Sequence, residues 1–451
     1  MDLKNKRVLV VGLGKSGLSS ALFLRRQGAQ VTVSDTRSAE ALAKEIPALL
    51  EEGIMVESGG HGLLTFRRQD LIVVSPGVPM DTPEVKQVKA FGLPVIGELE
   101  LASRYLQGRV VAITGSNGKT TTTTLLGRIF TDAGGPTLVG GNIGMPAIDL
   151  VPKSTPETVN VLEVSSFQLE TIEQFHPWIA LVLNITPDHL DRHGSFENYA
   201  AAKARITERQ EVGDFLVLNA EDKPTQMVAA KTRAQIYWFS PRRAIKQGAF
   251  VHGDSIFFLD REGGKPEPVM PIAEITLKGA HNVENVLAAV CAARLAGIPA
   301  EKIRATVAAF KAVEHRLEFV RNLRGVNYYN DSKATNVDAA VKAVSSFPGG
   351  IHLILGGKDK DSDYATMTDL LKQRVKVVYT IGSAAEKIER QLHGVVKIVS
   401  AETMQAAVNE ASSAAAPGDV VLLAPACSSF DQFENYEHRG RVFRQLVSEL
   451  S

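Results

Sequence analysis

Cysteine is almost absent from this chain: 451 residues contain only Cys291 and Cys427. Two thiols so far apart exclude a disulfide framework or a four-cysteine zinc site, and they fit a reducing compartment. Excess charge is absent as well, because 50 Lys+Arg balance 50 Asp+Glu. No global field therefore draws the protein toward nucleic acid or an anionic membrane, and any anion it binds must be held by a local site. Long hydrophobic runs are missing too. No uncharged stretch approaches the roughly 18 apolar residues of a membrane-spanning helix. The run Val8–Gly14 is interrupted by Lys15 and lacks a cleavage signal, so it reads as a strand and loop rather than a signal sequence. These absences predict a cytoplasmic protein with no nucleic-acid partner and no membrane insertion; a monomer is expected, but no absence requires it. With 44% hydrophobic and 22% charged residues the chain can bury several cores, and its length at about 100–200 residues per domain predicts three domains.

The first hundred residues alternate strand and helix. Arg7–Val11 is a β-branched run, Ser16–Gln27 reads as a helix, Gln30–Ser34 alternates, and Leu71–Val74 ends in the loop Ser75-Pro76-Gly77-Val78-Pro79. This order implies a parallel sheet with its ligand crevice at the carboxyl ends of the strands. The pattern restarts with Arg109–Thr114, a glycine loop and a helix from Lys119 to about Ala133. Strands at Val159–Val164, Trp178–Asn184 and Phe215–Asn219, a helix over Phe196–Arg209 and an apolar helix Val283–Ala296 follow. Tyr237–Phe239 and Ser255–Leu259 read as shorter strands of a peripheral sheet. From 313 a third rhythm places strands at Val326–Asn330, His352–Leu355, Val377–Ile381, Lys397–Val399 and Val420–Ala424. The predicted units are 1–97, 98–312 and 313–451.

Two glycine loops carry the chemistry. Gly12, Gly14 and Gly17 form G-x-G-x-x-G between a strand and a helix, with Asp35 at the end of the next strand. Such a loop turns tightly and seats a pyrophosphate on a helix N-terminus. It fits an NAD site, another pyrophosphate ligand such as a nucleotide sugar, or a turn that binds nothing. The second loop, Gly115-Ser116-Asn117-Gly118-Lys119-Thr120-Thr121, also follows a strand and opens a helix, so backbone N–H groups, the helix dipole and Lys119 converge on one anionic site. It is a compact variant of the Walker loop, with Ile113 where the first glycine would stand, and it predicts ATP or GTP phosphate binding.

Ordered motifs along the rest of the chain resemble the Mur ligase family, the ATP-dependent amide-forming enzymes of peptidoglycan precursor assembly. They are Asp35-Thr36-Arg37, the Ser75–Pro79 loop, Gly115–Thr121, Gly140-Gly141-Asn142-Ile143-Gly144, Glu163-Val164-Ser165-Ser166-Phe167-Gln168, Asn184–Asp191, Lys203, His281-Asn282, Asp331-Ser332-Lys333-Ala334-Thr335-Asn336 and Pro425–Phe433. The resemblance implies three α/β domains: a Rossmann-like UDP-binding domain, a central P-loop-type ATPase domain with a parallel sheet, and a Rossmann-like C-terminal domain. It implies that ATP phosphorylates the carboxylate of UDP-N-acetylmuramoyl-L-alanine and that the amine of D-glutamate displaces the phosphate through a tetrahedral intermediate. The first glycine loop then resembles a UDP-sugar site.

The same resemblance assigns the residues. Gly14, Lys15, Ser16, Asp35, Thr36, Arg37, Gly77, Asn142, Ser165 and Gln168 would hold the UDP substrate. Gly115, Ser116, Asn117, Gly118, Lys119, Thr120, Thr121, Asn282, Asn285, Arg316 and Asp331 would hold ATP. Thr120 with Glu163 would ligate a first Mg²⁺, and His189 with an N-carboxylated Lys203 a second, with Mn²⁺ as a substitute. By itself, Lys203 in Tyr199-Ala200-Ala201-Ala202-Lys203-Ala204-Arg205 reads as an exposed cation, and His189 as an ordinary loop histidine. Lys333, Thr335, Lys360, Ser429, Phe430 and Tyr436 would hold D-glutamate. The loop Gly356-Gly357-Lys358-Asp359-Lys360-Asp361 carries two lysines, of which Lys360 is the expected contact. Asp188, Asp191 and His193 are expected only to cap or support their loop, and Cys427 to be a packed residue. A related ligase for another amino acid, an NAD-dependent oxidoreductase and a non-catalytic nucleotide-binding module are the competing classes.

Overall fold

A computed structural model describes every residue except 231, 312 and 313; the expected division between the second and third units falls at 312 and 313, outside the described residues. Strands rich in Val, Ile and Leu build three separate sheets. The first holds five parallel strands in the order Met55–Ser58, Gln30–Asp35, Arg7–Val11, Leu71–Val74, Val95–Gly97. Leu71–Val74 is buried along its whole length, as expected of a strand covered on both faces. The strand order reverses at Arg7–Val11, which leads into the first glycine loop, so the loop opens at a switch point where a crevice forms. Gly12 adopts φ +87°, and a Cβ on Gly17 would stand 1.9 Å from the Gly12 carbonyl oxygen. Helix and strand therefore approach more closely than any side chain allows.

The second sheet has nine strands, and its parallel core runs Phe215–Asn219, Ile179–Val182, Arg109–Thr114, Val159–Glu163, Thr137–Gly141. Gln235–Ser240, Gly248–His252, Ser255–Leu259 and Glu267–Pro271 continue this sheet, the last two pairings being antiparallel. The expected peripheral sheet is thus an extension of the main one. The helix Lys119–Asp132 begins on the second glycine loop, and its threonines Thr121, Thr122 and Thr123 are buried. Packing inside the unit overrides their poor helix propensity. The expected helix Phe196–Arg209 ends earlier, at Ala204, and tightens into a 3₁₀ turn over Arg205–Thr207, a common way for a last helical turn to close.

The third sheet has six strands, in the order Glu318–Leu323, Val326–Asn330, Val420–Leu423, Ile351–Gly356, Val375–Ile381, Lys397–Glu402. Only the edge strand Glu318–Leu323 pairs antiparallel.

Glu98, which opens the helix Glu98–Ser103, joins the first sheet to the second unit. It is 1% exposed; its Oε1 accepts from the Ile148 N–H at 2.7 Å, and its Oε2 has no partner among the described residues. Burial pushes this carboxyl up to about 7. The folded state then binds a proton more tightly than the unfolded one, so the stability present in acid is lost as pH rises through about 7. Glu98→Gln, which stays neutral, is expected to be the more stable protein at pH 8 by on the order of 2 kcal/mol and equal to the parent in acid. Denaturant unfolding at the two pH values checks this.

Candidate active site

Two clefts lie at the carboxyl ends of the sheets. The larger, of about 900 Å³, is lined by Gly14, Lys15, Ser16, Asp35, Thr36, Arg37, Gly77, Asn142 and Gln168, all expected to contact the UDP substrate. Ser165 caps the adjoining helix Ser166–Leu169 in a capping box with Gln168, so it positions its neighbour. Asp35 is already saturated. Its oxygens accept from the Leu13 N–H at 2.6 Å, the Arg37 N–H at 2.8 Å and the Arg37 guanidinium at 3.0 and 3.1 Å. Burial raises this carboxyl, but the Arg37 and backbone hydrogen bonds outweigh it and hold it below its ordinary range. A free acid able to grip a ribose diol, as an NAD site needs, is therefore missing here, while Arg37 keeps an exposed guanidinium edge toward the cleft.

The second cleft, of about 170 Å³, lies between the second and third units. Ser116, Asn117, Gly118, Lys119, Thr120, Thr121, Glu163, His189, Asn282, Asn285, Arg316, Asp331, Lys333 and Thr335 line it. Gly118 adopts φ +85°, and a Cβ there would meet Asn285 Oδ1 at 2.2 Å, so the loop needs glycine both for its turn and for the neighbouring helix. Asn285 Nδ2 donates to Asn282 Oδ1 at 2.9 Å, which places the pair on one helix face as their spacing predicts. Thr120 Oγ1 donates to Glu163 Oε2 at 2.7 Å, and Asn142 Nδ2 donates to Glu163 Oε1 at 2.9 Å. Asp331 is half-buried, and its desolvation raises its carboxyl to about 7.

Two lysines meet on one atom. Lys119 Nζ donates to the Gly115 and Ser116 carbonyls at 2.7 and 2.9 Å, and Lys203 Nζ donates to the same Gly115 carbonyl at 2.9 Å. Lys203 is 1% exposed, sits over the Tyr199 ring and, among the described residues, has no carboxylate ion pair. The exposed cation suggested by its alanine-rich surroundings is in fact a core residue. Burial, reinforced by the neighbouring Lys119 charge, pushes its amine well below the usual lysine range.

His189 stands in the left-handed region at φ 53°, edge-on to Phe167 with ring centroids 4.9 Å apart. Burial, aided by nearby lysine charges, lowers its imidazole to about 3, so the ring is neutral and keeps a lone pair for ligation. Asp188, expected only to cap its loop, does more: it pairs with Lys360 at 3.2 Å and accepts from Asn336 Nδ2 at 2.9 Å. Burial raises its carboxyl, yet Lys360, His189 and Asn336 together bring it down to about 2. Asn117 Nδ2 donates to Asp338 Oδ2 at 2.6 Å. These links tie the nucleotide loop to the third unit.

The six residues expected to hold D-glutamate are not all brought together. Lys333 lines both clefts with its Nζ 3.6 Å from the Tyr436 ring centroid, and burial lowers its amine to about 8. Tyr436 lines the first cleft and Thr335 the second. Lys360 lines a separate cavity of about 420 Å³ beside Asp188. Ser429 is buried, Phe430 is 68% exposed, and neither lines the two clefts. Of the two loop lysines, Lys360 turns inward to Asp188, whereas the Lys358 backbone pairs with Ser428. Cys427 is packed as expected, its thiol raised to about 12 by burial.

Among the described residues no three His, Cys, Asp or Glu side chains converge on a point that could hold an ion. The donors present still suit Mg²⁺: Thr120 and Glu163 offer hard oxygens at the mouth of a phosphate loop, where a nucleotide and water would complete the shell.

Sequence comparisons agree with this architecture. Residues 6–97 match the MurD-like N-terminal domain of Mur ligases, 113–293 the Mur ligase middle domain, and 315–427 the Mur ligase glutamate ligase domain. A UDP-N-acetylmuramoylalanine–D-glutamate ligase of Acidobacterium capsulatum is 67% identical over 99% of this chain and 97% of its own. The enzyme of the same name from Koribacter versatilis is 59% identical over 100% and 99%. A pseudomurein peptide ligase type C of Methanothermus fervidus shares the fold at 21% identity and a TM-score of 0.61, covering 99% of this chain and 100% of that one. The MurC ligase of Thermotoga maritima does so at 18% and 0.61, covering 98% and 99%. Three domain matches in family order and full-length relatives at this identity show that the chain belongs to the Mur ligase family.

Proposed function

We propose that this chain joins D-glutamate to UDP-N-acetylmuramoyl-L-alanine in peptidoglycan precursor synthesis, converting ATP to ADP and phosphate. The observation that carries the reading is that Asn142 and Lys333 line both clefts. A carboxylate held in the first cleft and a terminal phosphate held in the second meet at that junction. The 1–97 unit binds the UDP substrate, the 98–312 unit the nucleotide, and the 313–451 unit the amino acid, as a cytoplasmic monomer.

The acceptor carboxylate oxygen attacks the terminal phosphorus and ADP leaves. The free amine of D-glutamate then attacks the acyl carbon, the nitrogen of the tetrahedral adduct loses a proton to solvent, and phosphate leaves with the C–O bonding pair to give the amide. Lys119 and the N–H groups of Gly115–Thr121 offset charge on the transferred phosphoryl group. Asn282 and Asn285 face the adenine and ribose, Arg316 reaches the phosphates across the cleft, and Asp331 lies on the ribose side. Thr120 with Glu163 would hold one Mg²⁺ and His189 with carboxylated Lys203 another, Mn²⁺ substituting. Bound there, the ions would neutralise phosphate oxygens. Lys333, Thr335 and Tyr436, which line the two clefts, hold D-glutamate, whose carboxylates suit a lysine and hydroxyls, and Lys360, Ser429 and Phe430 would join them only on a rearrangement of the third unit. Closure over the junction excludes water from the acyl phosphate.

Phosphate release from ATP, Mg²⁺ and UDP-N-acetylmuramoyl-L-alanine against a panel of D- and L-amino acids tests this. Turnover is expected with D-glutamate; a preference for L-lysine, or reduction by NADH without ATP, would reject it.

A further inference from the structure

Arg192 belongs to the four-residue helix Leu190–His193 of the second unit, yet it reaches into the first. Its Nη2 donates to the Val78 carbonyl at 2.9 Å and its Nη1 to the Gly77 carbonyl at 3.4 Å. The same guanidinium pairs with Glu170 at 3.2 Å and lies 4.8 Å from the centroid of the Phe167 ring. Phe167 also packs in a T-shaped contact with His189, centroids 4.9 Å apart, and stacks with His193 at 5.4 Å. The Gly77–Val78 loop lines the acceptor cleft, and Ser75 Oγ ties it to the Gly12 carbonyl of the first glycine loop at 2.7 Å. One side chain, 16% exposed, thus spans from the acceptor loop to the ring that supports His189.

We propose that Arg192 is a positioning residue that couples occupancy of the acceptor cleft to the placement of His189 in the nucleotide cleft. A guanidinium suits this task because its planar fork can hold two carbonyls and a carboxylate at once while stacking on an aromatic face, and an ammonium cannot. Movement of the 75–79 loop on a bound acceptor is passed to Phe167 through a partly desolvated, charge-assisted contact, and from Phe167 to His189 by packing. By linkage the coupling is reciprocal, so nucleotide in the second cleft tightens acceptor binding in the first by the same factor. The inference rests on the acceptor reading given above.

The test is calorimetric titration of the full chain with UDP-N-acetylmuramoyl-L-alanine, with and without saturating Mg²⁺·ADP. The parent protein is expected to bind the acceptor about fivefold or more tightly when Mg²⁺·ADP is present. In Arg192→Gln that ratio falls to about one, while the affinity for Mg²⁺·ADP alone stays within about twofold of the parent value, a pattern that a loss of fold would not produce. Should that variant not fold, Arg192→Lys keeps the charge without the fork and is expected to lower the ratio at least about twofold. A ratio preserved in the variants, a parent ratio near one, or an equal loss of Mg²⁺·ADP affinity overturns the inference alone. Failure of the parent to bind the acceptor at all overturns the acceptor reading and this inference with it.

Discussion

Lys119→Ala is expected to lower turnover by about a thousandfold or more while acceptor affinity stays within about threefold. The loss is large because charge develops on the transferred phosphoryl group inside a closed cleft, where a single preorganised donor is worth about 10²–10³ in rate and a cation at this point more. Acceptor binding should survive because, among the described residues, Lys119 Nζ donates to the Gly115 and Ser116 carbonyls of its own loop, whereas the first glycine loop and Arg37 lie in the other cleft. Folding should survive too. Among the described residues Lys119 forms no ion pair and its ammonium donates to backbone carbonyls of its own loop, while buried Glu163 keeps its hydrogen bonds from Thr120 and Asn142. Single-turnover phosphate release together with acceptor titration separates the two quantities. An equal loss in both would contradict the assignment of the clefts to different ligands.

Lys203→Ala is expected to lower turnover by about a hundredfold or more, with partial recovery in millimolar acetate or formate. The physical reason is the burial of an amine with no counter-charge. A lone ammonium in an apolar interior is costly and shifts toward its neutral form, and burial with the Lys119 charge drives Lys203 that way. A neutral lysine amine attacks CO₂ to form a carbamate and release a proton. The product carries one negative charge beside Lys119, which turns a repulsive pair into an attractive one and creates oxygen donors able to ligate a cation. A small carboxylate diffusing into the space left by the alanine variant can replace those oxygens. Protein equilibrated with ¹³C-bicarbonate should show a carbamate carbon that disappears in the alanine variant. Full activity without that signal, or an active alanine variant without added carboxylate, would refute the modification.

Much of this architecture can be read from local pattern. Strand, glycine loop and helix follow one another in Arg7–Arg26 and Arg109–Asp132, so both phosphate-type loops are legible from glycine spacing and β-branched runs. Short strands such as Met55–Ser58, Val95–Gly97 and Thr137–Gly141 carry no run long enough to announce themselves, and their pairing is settled by neighbours distant in sequence. The edge strand Glu318–Leu323 has an irregular burial pattern and is held only by Val326–Asn330.

Contacts across units were the least legible part of the site. Nothing local distinguishes Asp188 from a loop cap, because its partners Asn336 and Lys360 come from another sheet. The burial of Lys203 is likewise set by the glycine loop that accepts its hydrogen bond, while its own alanine-rich helix shows no amphipathic contrast. Arg192 carries no local signal for the same reason: its acceptors at Gly77 and Val78 lie more than a hundred residues away.

In the proposed reaction an acceptor carboxylate and a nucleotide phosphate react at the junction lined by Asn142 and Lys333. Supplying UDP-N-acetylmuramoyl-L-alanine with both carboxylate oxygens as ¹⁸O, together with ATP, Mg²⁺ and D-glutamate, tests it most directly. If an acyl phosphate forms and the amine displaces it, the released phosphate carries one ¹⁸O and the amide product retains the other. Unlabelled phosphate with labelled acceptor recovered unchanged would mean that ATP is merely hydrolysed, and would contradict the account.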